Sequence, residues 1–381
     1  MPERLQLYAT ASRGTEPLLA EELAELGAKT IRQDRGGVRF AANWREALWI
    51  CLWSRIAMRV LRPLGQFEPR GAQGLYDAAR SIVWEDHLTA ETTFAVDATL
   101  RDSEHTHSGF VALKVKDAIA DRLRERLGRR PNVDARSPDV RIAVHLARER
   151  LSLAMDLAGD PLNQRGYRIQ PTAAPLKETL AAALLRVAGY KGEVSFVDPM
   201  CGSGTLVIEA ALIAANRAPN LRRPLGIERW PEHGPDTRRI LAELRAEAVA
   251  MQRKPPFPIL GFDRDPDAVR AARRNAAAAK LSGTVRLEVA DAIQPLALGD
   301  VPPGVLITNP PYGSRLSAGG QKGMKTFYFK LGENLRRLHA WRLFILAGNP
   351  AFESAFHLKP SRARTFWNGP IECRLFGYTL R

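Results

Sequence analysis

At 381 residues, 45% of them hydrophobic and 25% charged, the chain is long enough for two or three domains with ordinary cores, and its net charge of +15 favours a polyanionic partner. No apolar run approaches the roughly 20 residues of a membrane helix and no signal core follows Met1-Pro2-Glu3-Arg4, so neither membrane insertion nor export is expected. Cys51, Cys201 and Cys373 stand far apart without a Cys-x-x-Cys pair, which argues against a disulfide framework and a structural zinc site and suits a reducing cytoplasm.

Residues 5–10 read as a strand, 16–26 as a helix stopped by Gly27, 36–41 as a second strand, and 44–53 as a helix by its apolar spacing. This β-α-β-α order over residues 1–60 predicts a small ferredoxin-like module. A second block, 61–168, carries a helix at 75–82, a strand at 93–98, a basic helix at 110–127 and paired strands at 140–146 and 151–156. The basic run with Lys114, Lys116, Arg122 and Arg124 reads as well as a solvated face as it does as a nucleic-acid contact. His105 and His107 have the spacing of a metal pair but no third ligand, and a loop is expected there. Charge concentrates further on. Residues 1–170 hold 26 Lys+Arg against 23 Asp+Glu, residues 171–381 hold 30 against 18, and 312–381 alone hold 12 against 3. That clustering favours RNA or DNA over a small-molecule substrate.

Residues 163–168 form a junction, after which Thr172 is expected to cap a helix with Pro175 in its first turn, ending near Gly189. A short apolar strand at 194–197 then meets the turn Asp198-Pro199-Met200-Cys201-Gly202-Ser203-Gly204-Thr205, and a helix follows at 206–212. Strand, glycine turn and helix is the usual seat of a nucleotide-like ligand in an open α/β sheet, because the glycines let a ligand approach the main chain. Residues 217–256 read as a polar insertion with an amphipathic helix at 240–251. The sheet resumes at 259–263, followed by a helix at 266–280 and a strand at 285–292. Asp263, at the end of its strand, can take both hydroxyls of a ribose, and Asp291 can accept from an adenine amino group. No Gly-x-Gly-x-x-Gly is present, so a dinucleotide-dependent dehydrogenase is not expected.

The fourth such strand ends in Asn309-Pro310-Pro311-Tyr312-Gly313. An exocyclic amine on a base is a poor nucleophile, its lone pair being delocalised into the ring. The side-chain oxygen of Asn309 and the carbonyl of Pro310 can accept from such an amine and stabilise the positive charge that develops on it. Pro310 and Pro311 stiffen the backbone that carries these acceptors, and Tyr312 offers a ring for the base to stack on. A methyl group on a sulfonium is attacked in line, with no metal and no covalent intermediate. Methylation at a ring carbon would need a cysteine nucleophile, and the nearby Cys201 sits in the glycine turn instead.

On these residues the chain resembles the class I, S-adenosylmethionine-dependent guanine-N2 RNA methyltransferases that carry an N-terminal THUMP domain. Within them it is similar to the bacterial enzymes that modify a guanosine of 23S ribosomal RNA, in their single-methyltransferase-domain form. The segments 163–168, 174–178, 218–221 and 229–230 and the run Asn368-Gly369-Pro370-Ile371-Glu372-Cys373 carry the resemblance together with the glycine turn and Asn309 to Gly313. It implies a ferredoxin-like domain at 1–60, a THUMP domain at 61–168, and a Rossmann-like methyltransferase domain at 169–381 with a mostly parallel seven-stranded sheet and the 217–256 insertion. It also implies that Asp198, Pro199, Cys201, Gly202, Ser203, Gly204, Thr205, Asp263 and Asp291 hold S-adenosylmethionine, with no metal. Asn309, Pro310, Pro311 and Tyr312 would take the target base. Relatives acting on transfer RNA guanosine share the single-domain form, adenine-N6 methyltransferases share the Asn-Pro-Pro-Tyr motif, and a catalytically silent RNA-binding module of ribosome assembly is the remaining alternative.

Overall fold

Alternation builds the opening strand: in β1 (Leu5–Thr10) Leu7 and Ala9 point into the core and their neighbours outward. The structure is a computed structural model that describes residues 4–170, 176–232, 234–313 and 320–380, and the chain divides into two compact units. In the first, α1 (Glu16–Glu25) is followed by the hairpin β2 (Lys29–Asp34) and β3 (Gly37–Ala42), whose β3 pairs with β1. A capping box starts α2 (Trp44–Trp53): the Asn43 side chain accepts from the Glu46 N–H and the Glu46 carboxylate accepts from the Asn43 N–H, both at 2.9 Å. Then come β4 (Arg59–Phe67), α3 (Gly71–Ser81), β5 (Phe94–Arg101), α4 (Ser108–Leu127), β6 (Val140–Ala147) and β7 (Arg150–Asp156). The strands form one sheet in the order β2-β3-β1-β4-β7-β6-β5, so the ferredoxin-like piece and the block behind it are joined through β4. His105 lies in the loop before α4 and sets its ring against Phe110, with centroids 5.9 Å apart.

The second unit comprises Ser12–Leu19, Asn163–Leu221 and Ala248–Arg381. Its helix α5 (Glu178–Val187) starts later than expected, with Lys177 in the N-cap place and no side-chain cap bond, while Thr172 lies outside the described residues. After it come β8 (Phe196–Asp198), α6 (Thr205–Ala214), α7 (Gly234–Ala250), β9 (Ile259–Asp263), α8 (Pro266–Ala278) and β10 (Arg286–Val289). The chain closes with β11 (Val305–Thr308), α9 (Gly320–Leu335), β12 (Arg342–Ala347), α10 (Phe352–Phe356), β13 (Arg362–Asn368) and β14 (Ile371–Thr379). The sheet order is β10-β9-β8-β11-β12-β14-β13, parallel from β10 to β12 and antiparallel at β14 and β13. Strands are added on one side of β8 through β10, and the chain then crosses to place β11 on the other side. That reversal is the topological switch point at which open α/β sheets bind ligands.

Within the stretch 217–256, Arg222–Glu247 belongs to the first unit rather than continuing the second. The reason is hydrogen bonding there: Gly226 and Ile227 N–H donate to the carbonyls of Ala158 and Leu157 at 3.1 and 3.0 Å, and the Arg229 guanidinium donates to the Pro138 carbonyl at 2.7 Å. In the second unit, Val197, Phe262, Leu306 and Ile345 of the sheet pack with Tyr328, Leu331 and Leu335 of α9. Phe352 stacks on Phe356 and Phe376 at 4.8 and 5.4 Å. Each such buried side chain stabilises the fold by about 1.5–3 kcal/mol, which fixes the carboxyl ends of β8, β9 and β11 relative to one another.

Candidate active site

β8 ends in Asp198, β9 in Asp263, and Asp291 lies two residues past β10. All three open onto one cavity of about 740 Å³ at the switch point. The glycine turn is laced to its neighbours by its own backbone: Cys201 N–H donates to the Phe262 carbonyl at 2.7 Å, and Gly204 N–H to the Cys201 carbonyl at 2.8 Å. Gly202 N–H donates to one oxygen of Asp263 at 2.8 Å, and Asp265 N–H to the other at 3.0 Å. Each oxygen keeps acceptor capacity for a ligand, so the carboxylate is oriented before anything binds. Cys201, Gly202, Ser203 and Thr205 also line the cavity. Pro199 and Gly204 do not. Gly204 is set by packing: its φ is +85°, and a Cβ there would stand 3.0 Å from the Cβ of Ala272 on α8.

Asp198 is a buried strut. It accepts from the Thr308 hydroxyl at 2.8 Å and from Met200 N–H at 3.1 Å, tying β8 to β11. Burial pushes its pKa from 3.8 up to about 7; the charge of Asp263 adds to this, and those two hydrogen bonds oppose it. An acid that holds its proton more tightly when folded loses fold stability as pH rises from its unfolded value towards its folded one. Asp198→Asn is therefore expected to flatten the decline of stability between about pH 4 and 7, read from urea unfolding at several pH values. The thiol of Cys201 is pushed well above its ordinary value by burial, then by Asp198 and Asp263, which disfavours a thiolate there.

Arg168 underlies the turn. Its guanidinium pairs with Glu178 at 2.8 Å and donates to the Leu176 carbonyl at 2.8 Å, the Thr205 hydroxyl at 3.0 Å and the Ser203 hydroxyl at 3.2 Å. Asn275 of α8 accepts from Ile169 and Gln170 N–H, both at 3.1 Å, and donates to the Ser203 carbonyl at 3.0 Å. The junction segment thus holds the glycine turn in shape. Sequence reading placed Arg168 in the junction without that role, because α5 and β8 separate it from the glycine turn and no spacing joins the two.

On the other side of the switch point, Asn309 follows β11, and Asn309, Pro310, Pro311 and Tyr312 all line the same cavity. The Tyr312 hydroxyl donates to the amide oxygen of Asn309. Burial, then the neighbouring Cys373 thiol, raises the Tyr312 phenol above its ordinary pKa and keeps that proton in place. The turn is anchored twice more, by Asn349 donating to the Tyr312 carbonyl and Tyr328 donating to the Pro311 carbonyl, both at 2.8 Å. The Tyr312 ring fits because position 348 is glycine: a Cβ there would lie 2.9 Å from the ring and 3.1 Å from Cys373 Sγ. In this arrangement the ring lies against the sheet with its hydroxyl engaged, rather than standing free as a stacking platform. Asn349 and Tyr328 went unnoticed in the sequence because their contacts cross between elements. Met324 and Phe327 of α9 and the β13–β14 turn complete the wall.

A family model for the RMKL-like methyltransferase domain matches residues 165–376, the span that contains both halves of this cavity. The chain belongs to the RMKL-like methyltransferase family. A THUMP domain matches residues 70–156, and an RlmL ferredoxin-like domain matches 6–61. The family member named ribosomal RNA large subunit methyltransferase K/L from Syntrophotalea carbinolica is 43% identical over the whole of this chain. The chain spans about half the length of the curated relatives it matches, 54% in that case. Among solved structures, SMU.472 in complex with SAH is 31% identical with a TM-score of 0.88, covering 100% of this chain and 99% of that one. A Listeria monocytogenes protein named as a predicted N6-adenine-specific DNA methylase is 29% identical with a TM-score of 0.85, covering 99% and 96%. These RMKL-like enzymes use S-adenosylmethionine, and the cavity fits it: a pinned carboxylate at Asp263, a second at Asp291, and open space where a Cβ of Gly202 would stand.

Proposed function

We propose that this chain methylates the exocyclic N2 amine of a guanosine in RNA, with 23S ribosomal RNA as the polymer. The observation that carries the reading is that Asn309 lines one cavity with Asp198, Asp263 and Asp291. S-adenosylmethionine supplies an electrophilic methyl group on a sulfonium. Asp263 holds its ribose and Asp291 its adenine, while Lys177 at the wall offers a cation to its carboxylate. Asn309 and the Pro310 carbonyl accept from the amine, orient its lone pair and stabilise the charge that develops on nitrogen. The THUMP match and the basic residues beyond 312 support RNA as the partner, and the shared name of the curated relatives supports the large ribosomal subunit. An adenine-N6 reading draws on the Listeria relative's name and on a motif that accepts from any exocyclic amine.

Purified protein with labelled S-adenosylmethionine and ribosomal or transfer RNA, followed by nucleoside mass spectrometry, separates these. N2-methylguanosine in the 23S fraction is the expected product. N6-methyladenosine overturns the base assignment, and label confined to transfer RNA overturns the polymer.

A further inference from the structure

The hydrogen bonds of Tyr312 indicate what the base side of the cavity is shaped to hold. Its hydroxyl donates to the amide oxygen of Asn309 and, at 3.5 Å, accepts from the amide nitrogen of Asn368. Two side-chain amides, from chain positions far apart, converge on one small polar group, one presenting oxygen and the other nitrogen. Both line the cavity. Asn368 is the last residue of β13, held by its pairing with Ile371 across the turn. The ring of the preceding Trp367 is covered by the Arg13 guanidinium at 3.9 Å, which steadies the strand end. Among the described residues the amide oxygen of Asn368 accepts no hydrogen bond. Ile371, on the same turn, leaves an apolar side chain 41% exposed at the cavity wall.

We propose that Asn368 is a specificity-determining residue that reads the base edge: its amide spans N1–H and O6 of guanine while the Asn309 oxygen takes the N2 amine. The Tyr312 hydroxyl keeps the two amides in register, leaving one lone pair of the Asn309 oxygen and one amide hydrogen of Asn368 for the base. This rests on the guanine-N2 reading above. The chemistry favours guanine for a simple reason. Guanine has a donor, N1–H, beside its amine and an acceptor, O6, next to that, and a carboxamide carries one acceptor and one donor to match. Adenine has a bare lone pair at N1 beside its amine, so the amide oxygen facing it would be stranded. A pocket that bonds a polar group rejects an analogue lacking it far more strongly than an apolar pocket does. Ile371 supplies a face for the ring, and Asn368 its identity.

The test compares methyl transfer to a 23S ribosomal RNA fragment carrying either guanosine or 2-aminopurine at the modified position. 2-Aminopurine keeps the N2 amine and lacks both N1–H and O6. The wild-type chain is expected to prefer guanosine by on the order of a hundredfold in kcat/KM. Asn368→Ala should reduce that preference to within a few fold while S-adenosylmethionine affinity, measured by calorimetry, stays the same. Asn368→Asp, which keeps an acceptor for N1–H but loses the donor for O6, should fall between. Tyr312→Phe should retain the preference. Equal loss on both bases in Asn368→Ala would show that Asn368 only supports Tyr312 and would overturn the proposal, as would a wild-type chain that does not discriminate. No methylation of the guanosine fragment by the wild-type chain would overturn the guanine-N2 reading itself, and this one with it.

Discussion

Asn309→Ala is expected to slow methyl transfer by roughly 10²–10³-fold, the cost of removing one preorganised group aimed at developing charge, with donor affinity within about twofold of wild type. The oxygen of Asn309 follows directly on β11 and is oriented through Tyr312, whose own backbone is held by Asn349 and whose neighbour Pro311 is held by Tyr328. None of these contacts touches Asp263 or the glycine turn. The substitution therefore removes an acceptor for the amine without disturbing the donor half. Single-turnover transfer and calorimetry with S-adenosylmethionine check the two halves separately, and a lost donor affinity would count against the role given to Asn309.

Asp263→Ala is expected to weaken S-adenosylmethionine binding by about 10²-fold or more, since hydrogen bonds to a charged group contribute roughly 1.5–3 kcal/mol each. The carboxylate would lose its own bonds to the ribose. Its removal would also leave Gly202 N–H and Asp265 N–H without their acceptor, so the turn itself would loosen. Asp263→Asn keeps a neutral acceptor for one of these N–H groups and should lose less. Calorimetry on folded variants, with circular dichroism as the control, decides it. An unchanged dissociation constant would sink the assignment.

Much of this was legible in the sequence, for physical reasons that differ by element. β8, β9 and β11 are buried on both faces, so their apolar runs stand out, and the acids and Asn309 at or just past their ends fall at the switch point once the strands are parallel. β2 was missed because it is a polar, exposed strand with no periodic face. β4 was missed because Pro63 and Gly65 interrupt it, where its register against β7 also shifts. What a linear reading lacks is pairing at a distance. The burial of Asp198, the four bonds of Arg168 and the convergence of Asn309 and Asn368 on Tyr312 each join residues that no spacing rule connects.

The sheet order has a consequence for how the site can change. Apart from Lys177, the residues proposed to grip the donor sit at or just past the ends of β10, β9 and β8 or on the turn leaving β8, and those proposed to grip the base sit just after β11 and at the β13–β14 turn. The Thr308 to Asp198 hydrogen bond is a buried stitch along the seam between these two halves. A chain laid out in this way can exchange its base-facing turns, and so its acceptor, while inheriting the donor half intact. Asn368 to Ile371, a hairpin tip at the far edge of the sheet, is the part most easily rewritten.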